Sequence, residues 1–185
     1  MKLFFLAVVA VAALFIAQVA LAAQLFATYP QVDQIASWLA MRKVEIHCLD
    51  KAEAYEDPVI ASGAEAYVVG WVDERGNWHP YNYAVLNEGY CELLLEVNYD
   101  PMLRGKIALA ILILTHESGH LRGHKWSAFE DKTQCWTMRH FGYVAQKLGY
   151  TDPEILLSLK QYAIYWHLRL PSNYHLESCV LPLTS

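Results

Sequence analysis

Two histidines and a glutamate stand in the segment His116-Glu-Ser-Gly-His120 at a spacing that suits metal chemistry. On an α-helix, residues four apart lie on the same face, so His116 and His120 can direct imidazole nitrogens at one point. Such a pair suits Zn²⁺, which prefers tetrahedral nitrogen, oxygen or sulfur ligands. Glu117 lies beside His116 and can act as a general base on a water that the metal activates. We expect a zinc-hydrolase centre, with Ser118 and Gly119 as small residues that leave space above the metal.

The third metal ligand must come from the chain that follows this helix. The metzincin pattern would place a histidine at position 126, where this sequence has Trp126. His124 lies one helical turn beyond the HExxH segment, but it leaves the shared face if Gly123 breaks the helix. Glu130 is better placed, because the chain can turn and return as an antiparallel helix that begins near it. Asp131 points elsewhere on that helix, and we expect it to be a solvated acid near the N-terminus.

The segment after the turn, Glu130-Asp-Lys-Thr-Gln-Cys, adds a second pattern. HExxH followed closely by E-x-x-[A/T]-x-C resembles a group of small bacterial and phage-type zincin-like proteins, and the resemblance covers residues 107–145. It implies a zincin fold, zinc bound by His116, His120 and Glu130, and Glu117 as the catalytic acid/base. The function that we expect is therefore that of a zinc metallopeptidase acting on a peptide or protein substrate.

Two other uses of the same residues remain open. An amidase acting on cell-wall peptide stems would need the same ligands and the same base. A binding or structural protein would need only the metal, and Glu117 argues against it because a structural site needs no base. Donors for a developing oxyanion are conceivable, although each is more simply structural, at Tyr90, Arg122, Tyr174 and His175. Isolated histidines, which we expect at the surface or hydrogen-bonded in the core, are His47, His79, His140 and His167.

The second half of the chain, which carries these residues, reads as helical. Asp100 followed by Pro101 is typical of a helix N-terminus, and the apolar run from Ile107 to Leu114 predicts a buried helix. Gly123 is expected to end that helix. The same Asp-Pro signature recurs at position 152. The helices that these patterns predict span residues 101–120, 127–149 and 153–169.

The first half reads mainly as strands separated by turns. Ala66–Val72 is β-branched and aromatic, Asp73–Asn77 supplies turn residues, and Trp78–Val85 is the expected returning arm of a hairpin. The segment 90–97 fits either a strand or a helical turn. Further predictions are a helix over 31–41, a strand over 44–48, a loop over 50–62 and a turn over 86–89.

Together the two halves predict an α+β domain, and the resemblance implies that its fold is zincin-like. A small antiparallel sheet would precede a helical half that carries the HExxH helix. In such folds an edge strand near the site often binds an extended peptide by strand addition, and Ala66–Val72 is our candidate.

The N-terminal segment indicates export. Lys2 precedes an apolar run from Leu3 to Ile16, and small residues follow at Ala20 and Ala22. This pattern predicts a secretory signal peptide over residues 1–22, ahead of one domain over residues 23–185. The alternative is an uncleaved membrane anchor, since the apolar stretch approaches the ~20 residues that span a bilayer. We expect a membrane contact only in that second case.

The cysteines agree with an exported protein. The chain has 4 cysteines without a CxxC pair, which fits two disulfides in an oxidising compartment. Sequence alone allows three pairings of four cysteines. We favour Cys48–Cys91, within the strand-rich half, and Cys135–Cys179, between a helix and the C-terminal segment.

Composition supports one folded domain and excludes one class of partner. The chain has 185 residues, of which 55% are hydrophobic and 13% aromatic, and this argues against disorder. Its net charge is −5, and no run of basic residues occurs in it. A nucleic-acid partner would require a cationic surface, so we expect none.

Overall fold

A computed structural model describes residues 29–175 and Cys179. Within these ranges the fold is α+β, with seven α-helices and one three-stranded sheet. The predicted signal peptide, residues 1–22, lies outside the described residues. The first half comprises α1 (Pro30–Ala40), β1 (Glu45–Leu49), α2 (Lys51–Glu56), α3 (Pro58–Ala61), β2 (Ala66–Val72), β3 (Trp78–Asn87) and α4 (Glu88–Leu95). The second half comprises α5 (Arg104–His120), a 3₁₀ helix (Lys125–Ala128), α6 (Glu130–Lys147), α7 (Pro153–His167) and a second 3₁₀ helix (Ser172–Tyr174).

Two short helices occupy residues 50–62, where we expected a loop. Asp50 forms a capping box, because its side chain accepts the Glu53 N–H while the Glu53 side chain accepts the Asp50 N–H. Asp57 caps α3, in which Pro58 takes the first helical position. The loop prediction was wrong because proline does not break a helix when a capping residue precedes it; at the first helical position it begins one.

The turn that we predicted over residues 86–89 is also wrong. Strand β3 continues to Asn87, whose side chain accepts the Gly89 N–H and so caps α4 without an intervening turn. The segment 90–97, which fitted a strand or a helical turn, is helical as far as Leu95.

The sheet is mixed and has the strand order β1-β3-β2. Strands β2 and β3 form the predicted antiparallel hairpin, but β1 pairs with β3 in parallel. The expectation of a purely antiparallel sheet was therefore wrong. A parallel pair needs a crossover connection of a dozen or more residues, and residues 50–77 provide one. Because β3 is central, β2 lies at an edge of the sheet.

The long helix α5 begins at Arg104 and not at Pro101. The Asp100 carboxylate does accept a backbone N–H, that of Met102, at 2.9 Å. This bond closes a turn that precedes the helix. Asp100 therefore caps that turn and not, as we had predicted, the first turn of α5.

For the two helices that follow, we predicted the start of α7 correctly but placed the start of α6 too early. We predicted that α6 begins near Ser127, but that residue lies in the 3₁₀ helix, and α6 begins at Glu130. Gly123 has a φ of 69°, a left-handed conformation that glycine adopts readily, and it turns the chain after α5. The cap of α7 lies where we predicted it, since the Asp152 side chain accepts two backbone N–H groups of the first turn.

Helix α5 forms the centre of the core. It contacts α1, α4, α6 and α7, and it also contacts strands β2 and β3. Ile107, Ile111 and Leu114 of α5 are fully buried. Full burial of each such side chain contributes about 1.5–3 kcal/mol, so packing against these elements fixes the helix firmly. The HExxH residues at its C-terminal end are held by that packing.

Two disulfides reinforce this arrangement. Cys48 of β1 joins Cys91 of α4, and Cys135 of α6 joins Cys179. These are the two pairings that we proposed from the sequence, and they indicate an oxidising environment. Among the residues that the structure describes, no helix has the length and apolarity needed to cross a membrane.

Candidate metal centre

The last turn of α5 brings two imidazoles together. His116 and His120 lie one helical turn apart, and both are largely buried. Their Nε2 atoms approach to 3.0 Å, and their ring planes are inclined by 73°. The helical spacing thus produces the convergence that the sequence predicts for these two residues.

Glu130 supplies a third atom from the first residue of α6. Its Oε2 lies 2.9 Å from Nε2 of His116 and 3.4 Å from Nε2 of His120. The ligand atoms of the three residues lie within 4.8 Å of one another. The short connection through Gly123 and the 3₁₀ helix is therefore long enough to return a carboxylate to the HExxH helix.

The other ring nitrogen of each imidazole, Nδ1, forms a hydrogen bond with an oxygen acceptor. Nδ1 of His120 donates to the carbonyl oxygen of Ser127, in the 3₁₀ helix between α5 and α6. Nδ1 of His116 lies 2.8 Å from Oε1 of Gln134. An acceptor at Nδ1 places the proton there, so Nε2 of each neutral imidazole presents a lone pair.

A cation could fit between these three atoms. Two imidazole lone pairs and one carboxylate oxygen face one another, and without a positive charge between them they repel. Ligands of a tetrahedral zinc ion at about 2.0–2.1 Å would lie about 3.3 Å apart. The three separations here are 2.9, 3.0 and 3.4 Å. His116, His120 and Glu130 could therefore hold a metal ion with little movement.

A proton competes for the same position. Burial lowers the pKa of His120, but its hydrogen bond with Glu130 and the charge of Glu117 outweigh burial, and the net pKa is raised. Metal binding requires the neutral imidazole, so we expect metal affinity to fall as the pH falls and His120 becomes protonated.

The two carboxyl groups of the centre have pKa values shifted in opposite directions. Burial raises the pKa of Glu117, and the positive charges of His116 and His120 only partly offset it. Burial also opposes ionisation of Glu130, but hydrogen bonds with both imidazoles hold its pKa well below the usual range. When the pKa values of two neighbouring acids are shifted apart in this way, one acid can stay ionised while the other exchanges a proton. Glu130 stays ionised and could therefore serve as a metal ligand, while Glu117 is suited to take up a proton.

A cavity of about 560 Å³ opens beside the three ligands. It lies between β2 and the helices α5 and α7, and Glu117 lines it together with His116, His120 and Glu130. A volume of this size lies within the range of about 300–1,000 Å³ that ligand sites in proteins have. The buried carboxyl group of Glu117 therefore faces space in which a ligand could bind.

Comparisons with protein-family models, with curated proteins and with solved structures found no match to this chain. The chemistry of the site is therefore inferred from its own geometry. That geometry combines a cluster able to hold a cation, a buried carboxyl group of raised pKa, and a cavity that both of them line.

Gln134 is part of the site, although the sequence analysis did not identify it. It lies one helical turn after Glu130 on α6 and is 3% exposed. Its Oε1 faces His116, and its Nε2 lies 3.3 Å from Nδ1 of the buried His167 on α7. His167, which we took as an isolated histidine, thus fixes the orientation of the amide. The signal in the sequence was the spacing of Glu130 and Gln134, which places both on one helical face.

Substitution of Gln134 by leucine is expected to lower metal affinity by about 10–100-fold, because His116 loses the acceptor that orients its ring. Glutamate at the same position keeps an acceptor and should retain most of the affinity. Titration of the purified protein with zinc against a competing chelator measures both variants. Equal affinity of the leucine variant and the parent would show that Gln134 does not position His116.

Gly119 and Ser118 are small for a reason other than the one that we expected. A Cβ atom on Gly119 would lie 2.8 Å from the Thr133 side chain and 3.0 Å from the Trp136 ring, both on α6. The hydroxyl of Ser118 is fully buried and donates to the Leu114 carbonyl. These residues do not clear space above the metal. Gly119 lets α5 and α6 approach closely, and this approach brings Glu130 to the histidines.

The sheet anchors the C-terminal end of α5. Trp78 of β3 donates from its indole N–H to the His120 carbonyl at 3.0 Å. Arg42 donates to the carbonyl of Leu121, the next residue, at 2.9 Å. Gly70 of β2 makes room for the indole, because a Cβ there would lie 2.6 Å from the ring. The backbone at the second histidine is thereby held from outside the helix.

Tyr174 is the best placed of the four conceivable oxyanion donors. It lines the cavity, and its ring centroid lies 5.7 Å from that of His116. Burial, the charges of Glu130 and Glu117, and a hydrogen bond to Glu130 raise its pKa, so the hydroxyl keeps its proton. The other three donors do not line the cavity, and each is bonded to another residue: Arg122 bonds the Leu39 carbonyl, Tyr90 bonds Glu65, and His175 bonds the carbonyl of His167.

The remaining candidates stay outside the cluster. His124 is exposed and stacks near the ring of Trp126, so the alternative third ligand does not join the other two histidines. Asp131 lies in the first turn of α6 and accepts the Lys132 N–H. The other isolated histidines contact residues away from the centre: His47 stacks on Tyr83, His79 pairs with Asp73, and His140 bonds the Trp136 carbonyl.

Proposed function

We propose that this protein is a zinc-dependent hydrolase and, more specifically, a metallopeptidase. The observation that carries the proposal is the convergence of His116, His120 and Glu130 beside the buried carboxyl group of Glu117, at the wall of a cavity. A cluster with a purely structural metal would need neither the base nor the space.

Zinc is the metal that this donor set favours. Two imidazole nitrogens and one carboxylate are the three protein ligands of a common class of catalytic zinc site, in which a further position stays open. Hard cations such as Mg²⁺ and Ca²⁺ prefer oxygen ligands throughout. The HExxH helix, the ligand on a following helix and the edge strand beside the site support a zincin-like classification of the fold.

The chain's own residues divide the catalytic work as follows. A bound zinc ion supplies Lewis-acid chemistry that activates water and polarises a carbonyl group. Glu117 lines the cavity beside the ligands, where it can remove a proton from the attacking water and later deliver it to the leaving amine. Glu130 remains an anion throughout. Tyr174 keeps a protonated hydroxyl at the cavity wall and can donate to the developing oxyanion.

The proposed substrate is a peptide or protein outside the cytoplasm. Two disulfides indicate an oxidising environment, and the pattern of residues 1–22 predicts export. Membrane association is part of the proposal only if that segment remains uncleaved. Nucleic acid is not a proposed partner, because the net charge is −5.

Incubation of the purified protein with a diverse peptide library, read by mass spectrometry, tests the proposal. We expect cleavage that stops on chelation and returns on addition of zinc but not of magnesium. Cell-wall peptide stems are included as a second substrate set. Cleavage of the stems alone would indicate that the protein is an amidase and not a peptidase. If zinc-loaded protein cleaves neither set, a binding role would be favoured.

A further inference from the structure

One wall of the cavity is an apolar face of α5 that leads to the metal ligands. Leu109 and Ile113 are half-buried and line the cavity. They precede His116 by seven and three residues, so all three lie on one face of the helix. When an apolar ligand group contacts apolar side chains that are partly exposed in a cavity, apolar surface is removed from water, and this favours binding.

Helix α7 and the residues after it provide a facing apolar wall. Trp166 and Leu170 line the cavity and are half-buried. The indole N–H of Trp166 donates to the Gly105 carbonyl at 3.0 Å, which ties the ring to the start of α5. With its polar atom satisfied, this ring presents a fixed apolar surface to the cavity.

The charges that line the cavity are negative. Its ionisable acids are Glu65, Glu117 and Glu130, and its lining contains neither lysine nor arginine among the described residues. A divalent ion at the cluster would be offset by the charges of Glu117 and Glu130. The free carboxylate of a peptide C-terminus would therefore find no arginine or lysine to bind it.

Among the described residues, the outer edge of β2 pairs with no other strand, and this edge borders the same cavity. The carbonyl of Glu65 accepts the Asn87 N–H of β3, so residue 65 points its backbone groups toward β3. In an antiparallel ladder the next residue and every second one after it point the other way. These are Ala66 and Val68, and both line the cavity. Their N–H and C=O groups are directed to the side on which an extended chain can add.

We infer that the site takes internal segments of extended peptides, with a large apolar side chain seated between α5 and α7. It does not take a peptide by its C-terminal carboxylate. This inference rests on the proposed function and names the substrate class of the same site. Leu109, Ile113 and Trp166 determine the preference for the side chain, and the edge of β2 aligns the backbone.

A set of short peptides tests the inference. Each peptide is acetylated at its N-terminus and amidated at its C-terminus, and the peptides differ only in the central residue, which is Leu, Phe, Ala, Asp or Lys. A copy of the Leu peptide with a free C-terminal carboxylate completes the set. Binding to zinc-loaded Glu117→Gln protein is measured by fluorescence polarisation, and cleavage by the parent is measured by mass spectrometry. We expect the Leu and Phe peptides to bind at least about tenfold more tightly than the others. Amidation should not weaken binding.

A matched pair of variants assigns the preference to the cavity. Ile113→Ala should reduce the discrimination between the Leu and Ala peptides. Ile155→Ala removes the same atoms from a half-buried position of α7 that does not line the cavity, and it should leave discrimination unchanged.

The outcomes separate this inference from the proposed function. Cleavage without preference for apolar residues would overturn the inference and leave the peptidase standing. Apolar preference in binding without cleavage by the parent would overturn the peptidase and support the inference. Tighter binding of the free-carboxylate peptide, or binding of none of the peptides, would overturn the inference.

Discussion

Replacement of Glu117 by glutamine is expected to lower peptide turnover by about 10²–10⁴-fold, the usual contribution of general acid–base catalysis. Glutamine keeps the size of the side chain but cannot accept the proton of the attacking water. The three metal ligands are untouched, so zinc content should equal that of the parent. Turnover of a cleaved library peptide and metal content by mass spectrometry are measured on the same preparations.

The folding of the Glu117→Gln variant can be predicted as well. Burial raises the pKa of Glu117, which means that the folded chain disfavours its ionised form. Above the pKa of the unfolded state this group therefore costs stability, and a neutral amide removes the cost. The metal-free variant should unfold at a urea concentration equal to or higher than that of the parent at neutral pH. A loss of activity then cannot be attributed to a loss of fold.

Two further substitutions of glutamate by glutamine serve as controls for this prediction. Glu154→Gln makes the same chemical change at an exposed position of α7 and should leave both turnover and zinc content unchanged. Glu130→Gln should lower zinc content together with turnover, because it removes a ligand. Undiminished turnover of zinc-loaded Glu117→Gln protein would exclude Glu117 as the base.

The local part of the site could be predicted from the sequence. The spacing of His116 and His120 determines that both rings share one face of any helix that contains them. The assignment of Glu130 required only that the chain reverse within a few residues, and Gly123 provides the left-handed conformation for that reversal. Each of these inferences depends on one helix or one turn.

Features that depend on contacts between distant segments could not be predicted. Nothing near His167 in the sequence indicates that it meets Gln134, because the packing of α7 against α6 brings them together. The role of Gly119 likewise becomes visible only when Thr133 and Trp136 of α6 occupy the space beside it. The parallel pairing of β1 depends on a crossover that residues 50–77 permit but do not dictate.

Replacement of His120 by alanine is expected to abolish stoichiometric zinc binding, whereas His124→Ala should retain it. His120 lies in the cluster, with Nε2 at 3.0 Å from that of His116, while His124 is exposed and outside it. The two variants lose the same side chain four residues apart, which makes them a matched pair. Metal content is measured by mass spectrometry after dialysis against limiting zinc.

Stability provides a second and independent measurement of the same prediction. A ligand that binds only the folded state at about 1,000 times its dissociation constant adds about 4.1 kcal/mol to the free energy of unfolding. Urea unfolding with and without zinc should show this gain for the parent and for His124→Ala. His120→Ala should show almost none, whatever the substitution itself costs, because each variant is compared with its own metal-free form. A zinc-dependent gain of equal size in His120→Ala would place the metal elsewhere in the chain.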